Sequence, residues 1–299
     1  MARRAAHRPL TERLTETTAM DVARTPAHMR EWSRSRRIAG RSIGFVPTMG
    51  ALHDGHAALI RESVAHNDST VVSLFVNPTQ LNNSSDYETY PPPEDDDIEL
   101  CGDLGVDAVY SPSVEVMYQA GSATSIDPGP LARVLEGAAR PGHFTGVATV
   151  VMKLFSAVEP DHAYFGEKDL QQVAVIRRMS ADLDLAVEVV AMPTVREPDG
   201  LALSSRNRRL TKDDRLAATC IWRALETVRS HAANGPAGID ELRRAMREVL
   251  LEEPRCRIDY AELVDRRTFA PAQRVDEFTS ACIAAWFGEV RLIDNIQLA

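Results

Sequence analysis

The sequence lacks most of the features that would take a chain out of the cytoplasm or onto nucleic acid. It has only four cysteines in 299 residues, Cys101, Cys220, Cys256 and Cys282, and none form a C-x-x-C pair. A zinc or redox motif therefore has no framework, and four reduced thiols in a cytoplasmic protein are expected. Long apolar runs are missing too. None approaches the roughly 20 residues that span a bilayer, so no membrane partner is expected. The Arg-rich start, MARRAAHRPLTERLTETT, contains no apolar stretch and does not read as a secretory signal. A mobile tail over much of the first 20 residues is the expectation. Net positive charge is also absent: 43 acidic residues against 34 Lys and Arg leave a formal charge of -9. Phosphate backbones need a basic surface, so no nucleic-acid partner is expected, while anionic small substrates stay open because charge can be local. There is no internal repeat and no low-complexity linker.

What is present is core material. Hydrophobic residues make up 44% of the chain, enough for one large domain or two modest ones. Short apolar runs at 43–46, 70–76, 108–110, 163–165 and 185–191 read as strands. The run at 70–76 is β-branched and almost wholly apolar, which fits a strand buried on both faces of a parallel sheet. Helical patterns at 57–64, 95–104, 145–157 and 170–183 separate the strands. This alternation predicts an α/β fold, a doubly wound Rossmann-like parallel-sheet domain over 1–194. The pattern then changes. Helices are expected at 213–233 and 239–252 and strands at 257–263, 281–287 and 290–293, giving a smaller α+β C-terminal domain over 195–299.

Several segments carry chemistry. In F-V-P-T-M-G-A-L-H-D-G-H, at 45–56, a strand ends, a loop follows, and His53 and His56 flank Gly55 at a helix start. Helix N-termini present free N–H groups and a positive dipole end, so phosphate binds there readily. Two surface histidines near a turn are the alternative. The segment Y-F-G-E-K-D-L-Q-Q, at 164–172, again joins a strand to a helix, where parallel sheets form their ligand crevice. There Lys168 offers mobile charge, and Asp169 could cap the helix or meet a ribose. In L-S-S-R-N, at 203–207, two hydroxyls and a guanidinium suit a triphosphate, although a polar loop reads equally simply. Asn77 and Gln80, in N-P-T-Q, could hold substrate hydroxyl and carboxylate groups, or merely form a turn set by Pro78. The acidic run at 94–97 could hold Mg²⁺ through water or place negative charge at a helix start.

Taken together, from about residue 43 to 295, these segments resemble the pantothenate synthetase (pantoate–β-alanine ligase) family of the H-x-G-H nucleotidyltransferase superfamily. The likeness runs in order through P-T-M-G-A-L-H-x-G-H, F-V-N-P-x-Q, Y-P, D-D-D, H-F-x-G-V, F-G-E-K-D and S-S-R-N. It implies that ATP activates a small acid, pantoate in the family, as an acyl-adenylate, and that an amine, β-alanine in the family, then takes the acyl group. By matching position it implies that His53, His56, Lys168, Ser204, Ser205 and Arg206 serve phosphate and transition state. Pro47, Thr48, Met49, Gly55, Phe165, Gly166, Asp169, Val195 and Leu203 would line the ATP pocket. Asn77, Gln80, Leu81, Val150, Val151 and Gln172 would meet the acid, and Asp96 and Asp97 the Mg²⁺. A homodimer paired through the first domain is also implied.

The chain departs from the family pattern at Leu81, where an aromatic is usual, and at Asn82, Asn83, Pro92, Leu170 and Leu203. The phosphate-handling residues all match, so adenylation is the firmer expectation and pantoate the looser one. A family paralogue coupling another acid or amine stays open. A nucleotidyltransferase making a dinucleotide-like product fits less well with G-E-K-D and N-P-x-Q, and a non-catalytic nucleotide binder fits least.

Overall fold

The computed structural model describes residues 20–81, 95–235 and 237–299. The expected N-terminal tail, Asn82, Asn83 and Pro92 lie outside them. Six strands form one parallel sheet: β1 (Asp21–Ala23), β2 (Ile43–Thr48), β3 (Ser69–Leu74), β4 (Ala108–Tyr110), β5 (His162–Gly166) and β6 (Glu188–Met192). Their order is β1-β4-β3-β2-β5-β6. The chain therefore winds outward from β2 through β3 to β4, then returns to lay β5 against the other side of β2. That reversal opens a crevice at the carboxyl ends of β2 and β5, where open α/β sheets bind their ligands.

The helices linking these strands are α1 (Pro26–Ile38), α2 (Asp54–His66), α3 (Asp95–Asp103), α4 (His143–Val158) and α5 (Leu170–Asp182). All six residues of β3 are buried, as its apolar run suggested. Helix α4 is apolar nearly all round and lies within the main core, against α1 and the sheet. The sequence reading missed β1 and α1. Their signal is Thr25-Pro26: the Thr25 hydroxyl caps the helix by accepting from the His28 N–H at 3.3 Å, and Pro26 sits in its first turn. Strand β6 starts three residues later than expected, because the Leu185 N–H closes the end of α5 on the Ser180 carbonyl at 2.9 Å.

The second unit packs α6 (Cys220–Ala233) and α7 (Ile239–Leu251) on an antiparallel sheet of β7 (Arg257–Asp265), β8 (Thr279–Phe287) and β9 (Val290–Gln297). The single helix expected at 213–233 is broken, with a separate short helix at Lys212–Ala217. At the break the Thr219 hydroxyl donates to the Leu216 carbonyl at 2.8 Å, and the N–H groups of Thr219 and Ile221 reach back only three residues. Such local bonds compete with the helical ladder. Strand β9 runs past the expected 293 through Asp294 and Asn295. Those polar residues look like a turn in sequence, but both reach partners in other parts of the chain. Val264, Phe269 and Cys282 of the second unit join the main core, so the two sheets share apolar contact. The four cysteines are free thiols. Among the described residues, no helix is long and apolar enough to cross a membrane.

Candidate active site

His53 caps α2, and its ring orientation is fixed. Nδ1 accepts from the Gly55 N–H at 3.1 Å, so in the neutral ring Nε2 carries the proton and acts as a donor. Gly55 is required here, since a Cβ would stand 2.9 Å from the His53 ring. The His53 and His56 rings lie 4.1 Å apart between centroids. Burial lowers the pKa of both, with Lys168 and Arg208 adding to the effect on His53 and His53 adding to that on His56. His56 falls to about 3. Both imidazoles are therefore neutral near pH 7. His56 Nδ1 is buried without a hydrogen-bond partner among the described residues.

Lys168 and Asp169 follow β5, the neighbour of β2, in one helical turn (Glu167–Asp169) leading into α5. Their side chains lie 3.4 Å apart. Burial disfavours the Asp169 carboxylate, but the charges of Lys168 and Arg206 outweigh it and hold the pKa below the ordinary value. Ser204 caps a second short turn, Ser205–Arg209, by accepting from the Arg206 N–H at 3.2 Å. Lys168, Asp169, Gln172 and Arg206 line a cleft of about 490 Å³ between the two units. Lys168, Ser204 and Arg206 line a smaller recess of about 300 Å³ beside it. The fold thus gathers residues that lie far apart in the sequence, while His53 and His56 stand near Lys168 and Asp169 without lining either cavity.

The acid-side turn departs from expectation. Asn77 is buried and its amide is fully used. It donates to Gln80 Oε1 at 2.9 Å and the Gly146 carbonyl at 3.2 Å, and accepts from Thr79 and from the Tyr118 hydroxyl at 2.8 Å. In this conformation Asn77 builds the Pro78–Gln80 turn and has no free group for a ligand. Among the described residues, the one partner of Gln80 Nε2 is the Met49 sulfur at 3.4 Å. Val150 and Val151 face the main core and line neither cleft, and Phe165 is buried there too. Pro47 and Thr48 end β2, with the Thr48 hydroxyl donating to the Ser73 carbonyl at 2.8 Å. Gly166 ends β5. Val195 and Leu203 are joined backbone to backbone at 2.9 Å, leading into the Ser204 turn.

Asp97 does not offer metal ligands. Its two carboxylate oxygens accept the Ala51 and Leu52 N–H groups at 2.9 and 2.8 Å, which holds the loop before His53. Asp96 is exposed on α3. Among the described residues, no cluster of three or more His, Cys, Asp or Glu could hold a metal. The donor set among the described residues does not fit a resident cation.

The family model for pantoate-beta-alanine ligase matches residues 21–297. The chain belongs to the pantoate-beta-alanine ligase family. It is 46% identical to a pantothenate synthetase of Moorella thermoacetica over 279 residues, covering 93% of this chain and 99% of that one. It is 48% identical over 288 residues to one from Rubrobacter xylanophilus, covering 93% and 98%. The pantothenate synthetase structure from Thermus thermophilus superposes with a TM-score of 0.87 at 44% identity, covering 93% and 99%. A pantoate-beta-alanine ligase of Francisella tularensis, solved in complex with beta-gamma ATP and beta-alanine, gives 0.77 at 36% identity, covering 94% and 98%.

Two features of this ligase-family site were not legible as site residues. Asn295, in β9, donates to the backbone carbonyls of Glu167 and Lys168 at 2.8 and 3.0 Å, fixing the turn that carries the lysine. Arg196 pairs with buried Asp294 at 2.6 Å and stacks 3.9 Å from the Trp222 ring centroid, anchoring the strand that leads to Ser204. The sequence gives only isolated polar residues at these places. Of the departures from the family pattern, Leu170 lines the cleft, while Leu81 ends the Pro78–Gln80 turn half-buried and lines neither cavity.

Proposed function

We propose that this chain condenses pantoate with β-alanine at the expense of ATP, through a pantoyl-adenylate. The observation that carries the reading is that His53 and His56 after β2 stand near enough to Lys168 and Asp169, after the neighbouring β5, for both charges to act on both imidazoles, at the sheet's switch point. In the first step the acid carboxylate attacks the α-phosphorus of ATP and pyrophosphate leaves. Negative charge grows on the phosphate oxygens, and the His53 Nε2–H, Lys168 and Arg206 are the donors placed for it. In the second step the amine attacks the mixed anhydride carbonyl, AMP leaves with the acyl C–O electron pair, and the amine gives up a proton. No side-chain nucleophile is needed. The chain's contribution is alignment and charge stabilisation, which in well-oriented systems is worth roughly 7–11 kcal/mol.

Asp169, Gly166, Val195 and Leu203 are the proposed nucleoside contacts, and Gln80 and Gln172 the proposed acid contacts. Mg²⁺ belongs in this reading only as part of the ATP substrate, since the acidic residues of α3 do not build a site for it. The proposal also keeps a boundary near residue 194 and a homodimer, which light scattering on the purified chain would check. The reaction is tested by product analysis with ATP, pantoate and β-alanine: equal amounts of pantothenate, AMP and pyrophosphate are expected, and ADP with phosphate would refute an adenylate.

A further inference from the structure

We propose that Arg140, supported by His143, receives the carboxylate of the amine substrate and so selects an ω-amino acid over a simple amine. This rests on the ligase reading above and names the half of the site that reading leaves unassigned.

Arg140 stands just before α4 and lines the cleft with Lys168, Asp169 and Arg206. It is half-buried, yet no carboxylate lies within ion-pair distance of it among the described residues. Three other half-buried arginines each have one, Arg196 with Asp294, Arg266 with Glu167 and Arg291 with Glu136, while Arg206, in the same cleft as Arg140, has none among the described residues. Glu136 makes no ion pair with Arg140: its oxygens accept from Arg291 at 2.7 and 2.8 Å and from the Tyr260 hydroxyl at 2.8 Å, and it reaches Arg140 only as a nearby charge. Arg140 instead donates to two neutral acceptors, His143 Nε2 at 3.2 Å and the Gln80 carbonyl at 3.2 Å. His143 Nδ1 donates to that same carbonyl at 2.9 Å, which fixes Nε2 as an acceptor and aims the guanidinium. Among the described residues two of its five N–H groups are thus used, which leaves the rest of the fork to receive an anion. Burial, helped by the like charge of Arg206 and only partly offset by the more distant charges of Glu136 and Asp169, pulls Arg140 down to about 10. Helix α4 begins beside it with no side-chain cap on its first N–H groups, adding positive potential to the same end of the cleft.

Chemistry decides which anion belongs there. The acid's carboxylate must be free to attack phosphorus and loses its charge on adenylation, so a permanent guanidinium clamp would hold the ground state. The carboxylate of an ω-amino acid is a spectator whose charge persists through both steps. The surrounding cations also disfavour an ammonium, which helps the incoming amine lose its proton. The triphosphate has its own cations in Lys168 and Arg206.

The test compares β-alanine with 3-aminopropanamide, its neutral amide, as amine substrates for the wild type, Arg140→Lys and Arg140→Gln. The ratio of their kcat/KM values is read within each protein, so loss of folded enzyme cancels. The wild type should prefer β-alanine by about 10–100-fold, in line with a charge-assisted bidentate contact. That preference should collapse toward one in Arg140→Gln, with Arg140→Lys between, through KM for β-alanine. A wild-type preference below threefold would overturn the proposal, as would an unchanged ratio in either variant, or a rise in the KM for ATP in place of that for β-alanine. A wild type that binds β-alanine through Arg140, by calorimetry, yet makes no AMP would fault the ligase reading and leave this subsite standing.

Discussion

At the scale of single residues, the site depends on charge placed where charge develops. Lys168 lines both cavities, as Arg206 does, and among the described residues its ion partner is Asp169 at 3.4 Å. Lys168→Ala should cut turnover by about 10²–10³ in a protein that still folds, measured as AMP release. An unchanged rate would remove it from the mechanism. His56 gives a pH prediction. Its ordinary value is 6.5 and burial lowers it to about 3, so the unfolded chain takes up a proton over a range where the folded chain does not. Stability should fall as pH drops through 6.5 toward 3, and that fall should shrink in His56→Asn when thermal midpoints are compared. An equal acid loss in both proteins would contradict the burial argument. His53, His56 and Lys168 could be picked from sequence because short motifs kept them beside glycines and strand ends. Arg140 and Asn295 could not, because what matters about them is a missing partner and a distant carbonyl.

At the scale of elements, the sequence was read well wherever periodicity was strong. The buried runs of β3 and β4 and the apolar helix α4 appear close to where their patterns place them. Elements defined by caps or by distant partners were missed or mis-sized: α1, the break before α6, and the far half of β9. The contact between α4 and the Pro78–Gln80 turn gives a test at this level. A Cβ on Gly146 would lie 2.4 Å from the Thr79 carbonyl oxygen and 2.8 Å from the Gln80 nitrogen, both backbone atoms that cannot move aside cheaply. Gly146→Ala should therefore cost about 1–3 kcal/mol in denaturant unfolding and raise the KM for the acid by displacing Gln80. A variant of normal stability and normal acid KM would show the contact to be slack.

At the scale of the whole molecule, the two units are bound by buried charge as well as by apolar contact. Glu136, in the segment before α4, meets Arg291 of β9 and Tyr260 of β7. Burial works against its ionised form, but the guanidinium and the hydroxyl outweigh it and hold the pKa below the ordinary 4.5. A depressed carboxylate contributes stability above its unfolded pKa and loses it as pH falls through the folded value. Arg291→Met should then cost about 3–5 kcal/mol at neutral pH by stranding the Glu136 charge, and the added Glu136→Gln change should recover part of it. A cost under about 1 kcal/mol would mean the link is not structural. The parallel sheet and the smaller α+β unit were legible because alternating strands and helices admit few topologies. The cleft between them was not, because its walls come from residues distant in the chain, such as Glu136 and Asn295. The central claim is that this cleft makes an enzyme-held acyl-adenylate before any amine arrives. It is tested most directly by exchange of labelled pyrophosphate into ATP. Exchange should appear with pantoate and no β-alanine and vanish without the acid; exchange that requires the amine, or none with pantoate present, would contradict the account.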